Sequence, residues 1–295
     1  MSHSQNRPTL GIALTVLAMA FFAVADSLIK VSVSVMAPAH TTLLLMGGGG
    51  VVFTCLALVR RERLWSAQAF HPVLLGRYLV EAVAAIGMVS SLAHVPLATL
   101  GAVLQASPLV VTAGAVLLFG EQVSWRRWSA IALGFVGVVI ILRPGTDGFG
   151  WSTLYPVLAM VALSLRDLAT RATPAGIPTT SLSAYTMAAS LPIVMVWAAW
   201  SAPTLLPPTV PWPPVLGMVT LGAVGYLAMT AGVRAAPLSV VTPFRYTRLL
   251  FLLILGLVVF DERPDVWTLI GAALIVASGM YAMWRDRVRR LQKHP

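Results

Sequence analysis

Three of the charged side chains that stand inside apolar stretches have types that suit the capture of a zwitterion. Arg245 and Arg248 fall in the apolar run 238–260. Spaced by three, they share one face of a helix. Glu81 sits at similar depth in the run 73–93. A guanidinium grips a carboxylate through paired hydrogen bonds, and a carboxylate holds an ammonium. A charge within a membrane costs several kcal/mol unless it pairs or faces water, and by default it marks a functional site. The bland alternative is an Arg–Glu pair across the two runs that only locks the bundle.

Polar-tipped, aromatic and thioether side chains recur at the same depth. Tyr78 precedes Glu81 by three residues and shares its face; Met160, Tyr226, Phe244 and Tyr246 are further candidates for a wall around an apolar substrate group. Met88, Tyr185 and Met229 belong to the same group, and methionine re-packs easily around varied ligands. Taken singly, each is more commonly a lipid-facing or core residue than a substrate contact. Gln105, in the run 98–119, needs hydrogen-bond partners and is a candidate for a cavity.

The elements that position these residues are read from composition. Hydrophobic residues make up 58% of the 295 and charged residues 10%, against about 25% charged in a soluble domain. A span needs about 20 apolar residues. Ten candidates run roughly over 10–29, 39–59, 73–93, 98–119, 128–143, 150–169, 179–201, 213–233, 238–260 and 266–284. The expectation is an all-α integral membrane protein of ten transmembrane helices.

A shift of 141 positions superimposes the chain on itself. It pairs Leu17-Ala18-Met19 with Leu158-Ala159-Met160, Asp26 with Asp167, Pro96-Leu97 with Pro237-Leu238, and Glu121 with Glu262. Five spans per copy is an odd number, so the second copy is inverted, the plan of alternating-access carriers. The organisation read from this is repeat 1 over 1–145, repeat 2 over 146–286, and a basic tail over 287–295. Charged positions that break the symmetry need a reason other than the shared fold. Arg245 and Arg248 answer to Leu104 and Ser107, and Glu81 to Gly222.

Lys and Arg set the orientation. With the N-terminus inside, fourteen of the 20, among them Arg60, Arg61, Arg63, Arg126, Arg127, Arg166 and Arg171, face the cytoplasm, and three face the opposite side. That bias satisfies the positive-inside rule and puts both termini in the cytoplasm. It also accounts for the net charge of +10. The basic residues are scattered over short loops, so a lipid bilayer is the expected partner and nucleic acid is not. Arg7, the apolar run after it and Ala23-Val24-Ala25 mimic a signal peptide. Span six repeats that segment, so span one is read as uncleaved.

Other chemistry finds little support. The five histidines lie one to a segment without metal spacing, Cys55 is alone, and no nucleophile elbow or phosphate-cradling loop occurs. No enzyme activity, cofactor or metal is expected. Asp26 with Lys30, and Asp167 with Arg171, stand at i and i+4 and can neutralise themselves. Glu121 and Glu262 close spans and help end those helices. Gly47 to Gly50 allow close packing or a hinge. Pro108 and Pro243 are expected to kink their spans and free carbonyls.

The stretch Gln105-Ala106-Ser107-Pro108, then Leu117-Leu118-Phe119-Gly120-Glu121, then Ile131-Ala132-Leu133-Gly134 resembles the end of an EamA domain, and Phe260-Asp261-Glu262-Arg263-Pro264 with Gly271-Ala272-Ala273 is the second copy. Copy two departs from the pattern, with Thr247-Arg248-Leu249 where copy one has Ala106-Ser107-Pro108. The resemblance covers essentially the whole chain and implies the drug/metabolite transporter superfamily; length and plan are similar to bacterial amino-acid exporters, the aromatic type included. It implies a monomeric inner-membrane carrier that exports amino acids or related metabolites through a central cavity. The alternatives are an organic-cation or other metabolite carrier and, from a different class, a structural or signalling membrane protein.

Overall fold

Proline and glycine punctuate the apolar runs and set where helices begin. The computed structural model describes residues 7–62, 64, 67–121, 124–144, 150–173, 176–202, 204, 207 and 209–293. In chain order the helices are α1 (Pro8–Val33), α2 (Pro38–Val59), α3 (Pro72–His94), α4 (Leu97–Leu104), α5 (Ser107–Phe119), α6 (Trp125–Leu142), α7 (Tyr155–Arg171), α8 (Thr179–Ser201), α9 (Trp212–Ala235), α10 (Leu238–Val241), α11 (Thr247–Phe260) and α12 (Val266–Lys293). Three of them start on a proline, whose missing N–H costs nothing in a first turn. Single turns of 3-10 helix cover Ala67–Phe70, Trp151–Leu154 and Thr242–Tyr246. Ten helices among the described residues are long and apolar enough to cross a membrane. The expected tail continues α12 as helix to Lys293, while Arg63, His294 and Pro295 lie outside the described residues.

The outward faces suit lipid. Trp200 is 90% and Leu117 80% exposed, a liability in water and a requirement against hydrocarbon.

Contacts divide the chain into two compact units, each drawing on both repeats. The first comprises Met1–Val24, Pro96–Gly150 and Val224–Pro295; the second comprises Ala25–Val95 and Trp151–Ala223.

In the first unit, α6 lies against α12, and α4 against α11 and α12. The α6 and α12 backbones touch: a Cβ on Gly137 would stand 2.8 Å from the Gly271 carbonyl oxygen. Arg143, just past α6, forms an ion pair with Asp265, just before α12. The ends of α5 and α11 are built alike. Each stops at a left-handed residue, Gly120 (φ 65°) and its repeat mate Asp261 (φ 51°), a conformation open to glycine and tolerated by Asp. The next N–H then turns back, Glu121 to the Ala115 carbonyl and Glu262 to the Gly256 carbonyl.

Glu262 does more than end its own helix. Its Oε2 accepts from Leu97 N at 2.8 Å, capping the start of α4 from the other repeat. Glu262→Ala is expected to cost about 1 kcal/mol and to speed amide exchange at Leu97 and Ala98; unchanged exchange there would make the cap dispensable.

In the second unit, α3 packs along α7 and α8, and α2 along α8. Pairing of α3 with α7 is antiparallel: Glu81 meets Arg166, and a Cβ on Gly87 would stand 2.9 Å from Ala159 N. The glycine run in α2 is occupied by packing. A Cβ on Gly48 would meet Val219 at 2.7 Å, and one on Gly49 the Met187 sulfur at 3.4 Å. This supports the packing role over the hinge. Glu62 Oε2 caps α8 by accepting from Ser181 N and Oγ at 3.1 and 2.8 Å.

Candidate functional site

Both spans expected to kink are broken, at symmetric points. Span four divides into α4 and α5 at Gln105–Ala106, one turn before Pro108. Span nine divides into α10 and α11 through the 3-10 turn Thr242–Tyr246, which contains Pro243. A break frees carbonyls that need new donors. Gln105 supplies one: its Nε2 donates to the Tyr246 carbonyl at 3.0 Å. Residues 105 and 246 are repeat mates, so the two breaks are tied to each other. Gln105, expected to face a cavity, spends its amide on this link.

The other first-unit candidates diverge from that point. Tyr246 is buried, and its ring runs to Gly279 of α12, where a Cβ would collide with the phenol oxygen. Its hydroxyl has no hydrogen-bond partner among the described residues. Phe244 is half-buried and Arg245 exposed. Arg248 lies over the Phe22 ring, 5.5 Å from its centroid, a cation–π geometry. Phe22 in turn lies against Gly225 of α9. Tyr226, the next residue, is half-buried, and its carbonyl accepts from Thr230. Phe22 was not on the sequence-derived list; its cue was an aromatic in span one with no other assignment.

The second unit holds Tyr78, Glu81 and Met160. Met160 is fully buried. Tyr78 is buried; its hydroxyl donates to the Ala69 carbonyl at 3.0 Å, and its own carbonyl accepts from Ser190 Oγ at 2.9 Å. Glu81, 7% exposed, was expected to pair with the arginines of span nine. Its ion pair is with Arg166 Nη1 of α7, at 3.5 Å. Arg166 had been counted among the cytoplasmic charges, but it lies five residues inside the end of α7. Its Nε and Nη2 donate to Asp167 Oδ1 at 3.2 and 2.9 Å, so Asp167, expected to neutralise Arg171, takes its neighbour.

Arg77, one turn before Glu81, donates Nε to Thr170 Oγ1 at 2.8 Å and Nη1 to Thr186 Oγ1. Arg77, Arg166, Glu81 and Asp167 therefore form a charge-balanced cluster on α3 and α7. Apolar layers flank it along α3: Leu74, Tyr78 and Leu182 before Glu81, and Ala82, Ala85, Met46 and Val194 after it.

Inverted five-span repeats, with helices broken at symmetric points and charges within the spans, define a membrane carrier. The EamA-like transporter family model matches residues 9–143 and 150–283, and the chain belongs to that family. It is 31% identical over 245 residues to a riboflavin transporter of Rhizobium johnstonii, covering 81% of this chain and 78% of the relative. It is 26% identical to an S-adenosylmethionine uptake transporter of Rickettsia prowazekii (68% and 67% covered) and 25% identical to a pseudopaline exporter of Pseudomonas aeruginosa (91% and 94%). A crystal structure shares the fold with a TM-score of 0.63 at 20% identity, covering 95% of this chain and 98% of the other. The chain is thus a multi-pass transporter, and the three relatives above are named for riboflavin, S-adenosylmethionine and pseudopaline.

Proposed function

We propose that this protein is an inner-membrane carrier that exports amino acids, hydrophobic and aromatic ones foremost, by alternating access. The observation that carries the reading is the broken span nine. Its break bears Arg245, and the helix that follows bears Arg248, at positions where the first repeat has Leu104 and Ser107. A cation held over Phe22 offers a substrate both a counter-charge for a carboxylate and an aromatic face. The proposed contacts of the first unit are Gln105, Tyr226, Phe244, Arg245, Tyr246 and Arg248, and Tyr78, Glu81 and Met160 are the candidates that the second unit carries by itself. Cytoplasmic termini follow from the distribution of Lys and Arg, a monomer is the proposed state, and the repeats 1–145 and 146–286 with the tail 287–295 are its organisation.

A second reading is riboflavin, favoured by the 31% relative and by the aromatic side chains beside Arg248. Purified protein in liposomes loaded in turn with labelled Phe, Met, Thr, riboflavin, S-adenosylmethionine, a quaternary ammonium and a nucleotide sugar separates the readings. Movement of Phe and Met supports amino-acid transport; movement of riboflavin alone replaces it with the second reading. Arg248→Ala is expected to lower transport of the moving substrate at least tenfold, on the order of the 1.5–3 kcal/mol of a charged hydrogen bond, with insertion intact. Wild-type flux in the inserted variant removes Arg248 from the site.

A further inference from the structure

We propose that the paired ends of α6 and α12 hold the headgroup phosphate of an anionic phospholipid, with Arg126 and Arg285 on the phosphate and Trp125 and Trp284 beside it. The site stands on the first unit alone and rests on no choice of substrate or of membrane side.

The two helices bring these residues level. Close approaches run from Gly134 to Ser278, from Gly137 to Ile275 and from Ile141 to Gly271, so α6 and α12 are antiparallel. Arg126 stands eight residues before Gly134, and Arg285 seven after Ser278. Those are rises of about 12 and about 10 Å, at about 1.5 Å per residue. Backbone contact at Gly137 and Gly271 keeps the axes close, and cations at one level of such a pair repel each other. The opposite end of the pair is neutral, since Arg143 is ion-paired with Asp265. At the arginine end the chain supplies Arg126, Arg127 and the five Arg or Lys from 285 to 293, against the carboxylates Glu121 and Asp286. The repeated fold does not require these cations. Under the 141-residue shift Arg126 answers to Trp267, Arg127 to Thr268 and Arg285 to Pro144.

The side chains fit a phosphate with a lipid attached. Arg126 lies over the Trp125 ring, 5.5 Å from its centroid, and makes no ion pair among the described residues. A guanidinium stacked on a ring keeps its N–H edge for an oxyanion, and it grips phosphate through paired bonds. Arg127 donates Nη2 to Thr112 Oγ1 of α5 at 2.9 Å, which ties the first turn of α6 to its neighbour. On α12, Tyr281 and Trp284 are in ring contact, their centroids 6.1 Å apart. Trp125, Trp128, Tyr281 and Trp284 are exposed, and such amphipathic rings settle at the level of lipid headgroups. Leu133, Val136 and Val139 continue an exposed apolar face along α6 from Trp125, a bed for an acyl chain. A free anion would use the arginines and leave the rings and the apolar face idle. The occupant is therefore a phospholipid, in keeping with the attraction of basic sites at span ends for anionic headgroups.

Native mass spectrometry of the full chain tests this, with cardiolipin, phosphatidylglycerol and phosphatidylethanolamine as probes. The wild type is expected to hold the two anionic lipids roughly tenfold more tightly than phosphatidylethanolamine, the scale of one charged hydrogen bond. Arg126→Gln with Arg285→Gln is expected to abolish that preference. Arg61→Gln with Arg234→Gln removes the same charge from exposed arginines elsewhere and is expected to keep it. Trp125→Ala with Trp284→Ala leaves every cation in place and is expected to weaken cardiolipin retention. Cardiolipin is also expected to raise the melting temperature of the wild type, whereas glycerol 3-phosphate at the same phosphate concentration is not. Equal retention of the three lipids by the wild type overturns the proposal. Equal losses in the two arginine variants reduce the effect to bulk charge and overturn it as well, as does full cardiolipin retention in the tryptophan variant. If glycerol 3-phosphate stabilises as cardiolipin does, the occupant is a free phosphate and the lipid assignment fails.

Discussion

Arg166→Leu is expected to cost about 3 kcal/mol and to lower the yield of folded protein sharply. Removing one partner of a buried pair strands the other, and such losses run to about 3–5 kcal/mol. Glu81 is 7% exposed and is ion-paired with Arg166, and Arg77, one turn away, donates to Thr170 and Thr186. The side chain of Asp167 is 37% exposed and recovers much of its loss from solvent, which keeps the figure at the lower end. The double variant Glu81→Leu, Arg166→Leu is expected to regain most of the stability, because the repeat mates of these two residues, Gly222 and Ala25, carry no charge. Thermal unfolding in detergent measures both. If the single variant is as stable as the wild type, the pair contributes nothing to the fold; if the double is worse than either single, packing rather than charge holds the site.

Gly137→Leu is expected to separate α6 from α12 and to lower the melting temperature further than any surface change. Overpacking alone costs about 1–3 kcal/mol. Here one obstacle is backbone, which cannot rotate aside: a Cβ would meet the Gly271 carbonyl oxygen at 2.8 Å, with the Ile275 side chain also at 2.8 Å through Cγ1. Helices in lipid associate through van der Waals contact and not through a hydrophobic drive, so loss of close approach removes most of what joins the two. Gly76→Leu is the control, since nothing lies within 4 Å of a Cβ there. Equal melting temperatures for the two variants would show that the α6–α12 contact is not limiting.

Much of this protein could be read along the chain. Ten spans, their proline starts and their doubled order are local properties of apolar length and of an offset that holds over many anchors. The kinks also could be read, because Pro108 and Pro243 mark them; the break in span four fell one turn early, at Gln105, whose side chain bonds across to Tyr246. The candidate site was legible only as a list of residue types. Glu81 stood out by charge, but its partner did not, because a count of arginines by side placed Arg166 at the membrane surface.

What decided the partner is helix pairing. Glu81 and Arg166 are far apart in sequence and meet because α3 and α7 run antiparallel with Gly87 drawn onto Ala159. A charge in an apolar span announces that it must be satisfied, since its desolvation is a property of the residue and its depth. Which group satisfies it depends on which helix faces lie within about 4 Å, and that is set by the packing of small residues across the whole fold. Depth, number and symmetry of the spans therefore belong to the sequence, and the identity of each ion pair, cap and aromatic contact to the tertiary structure.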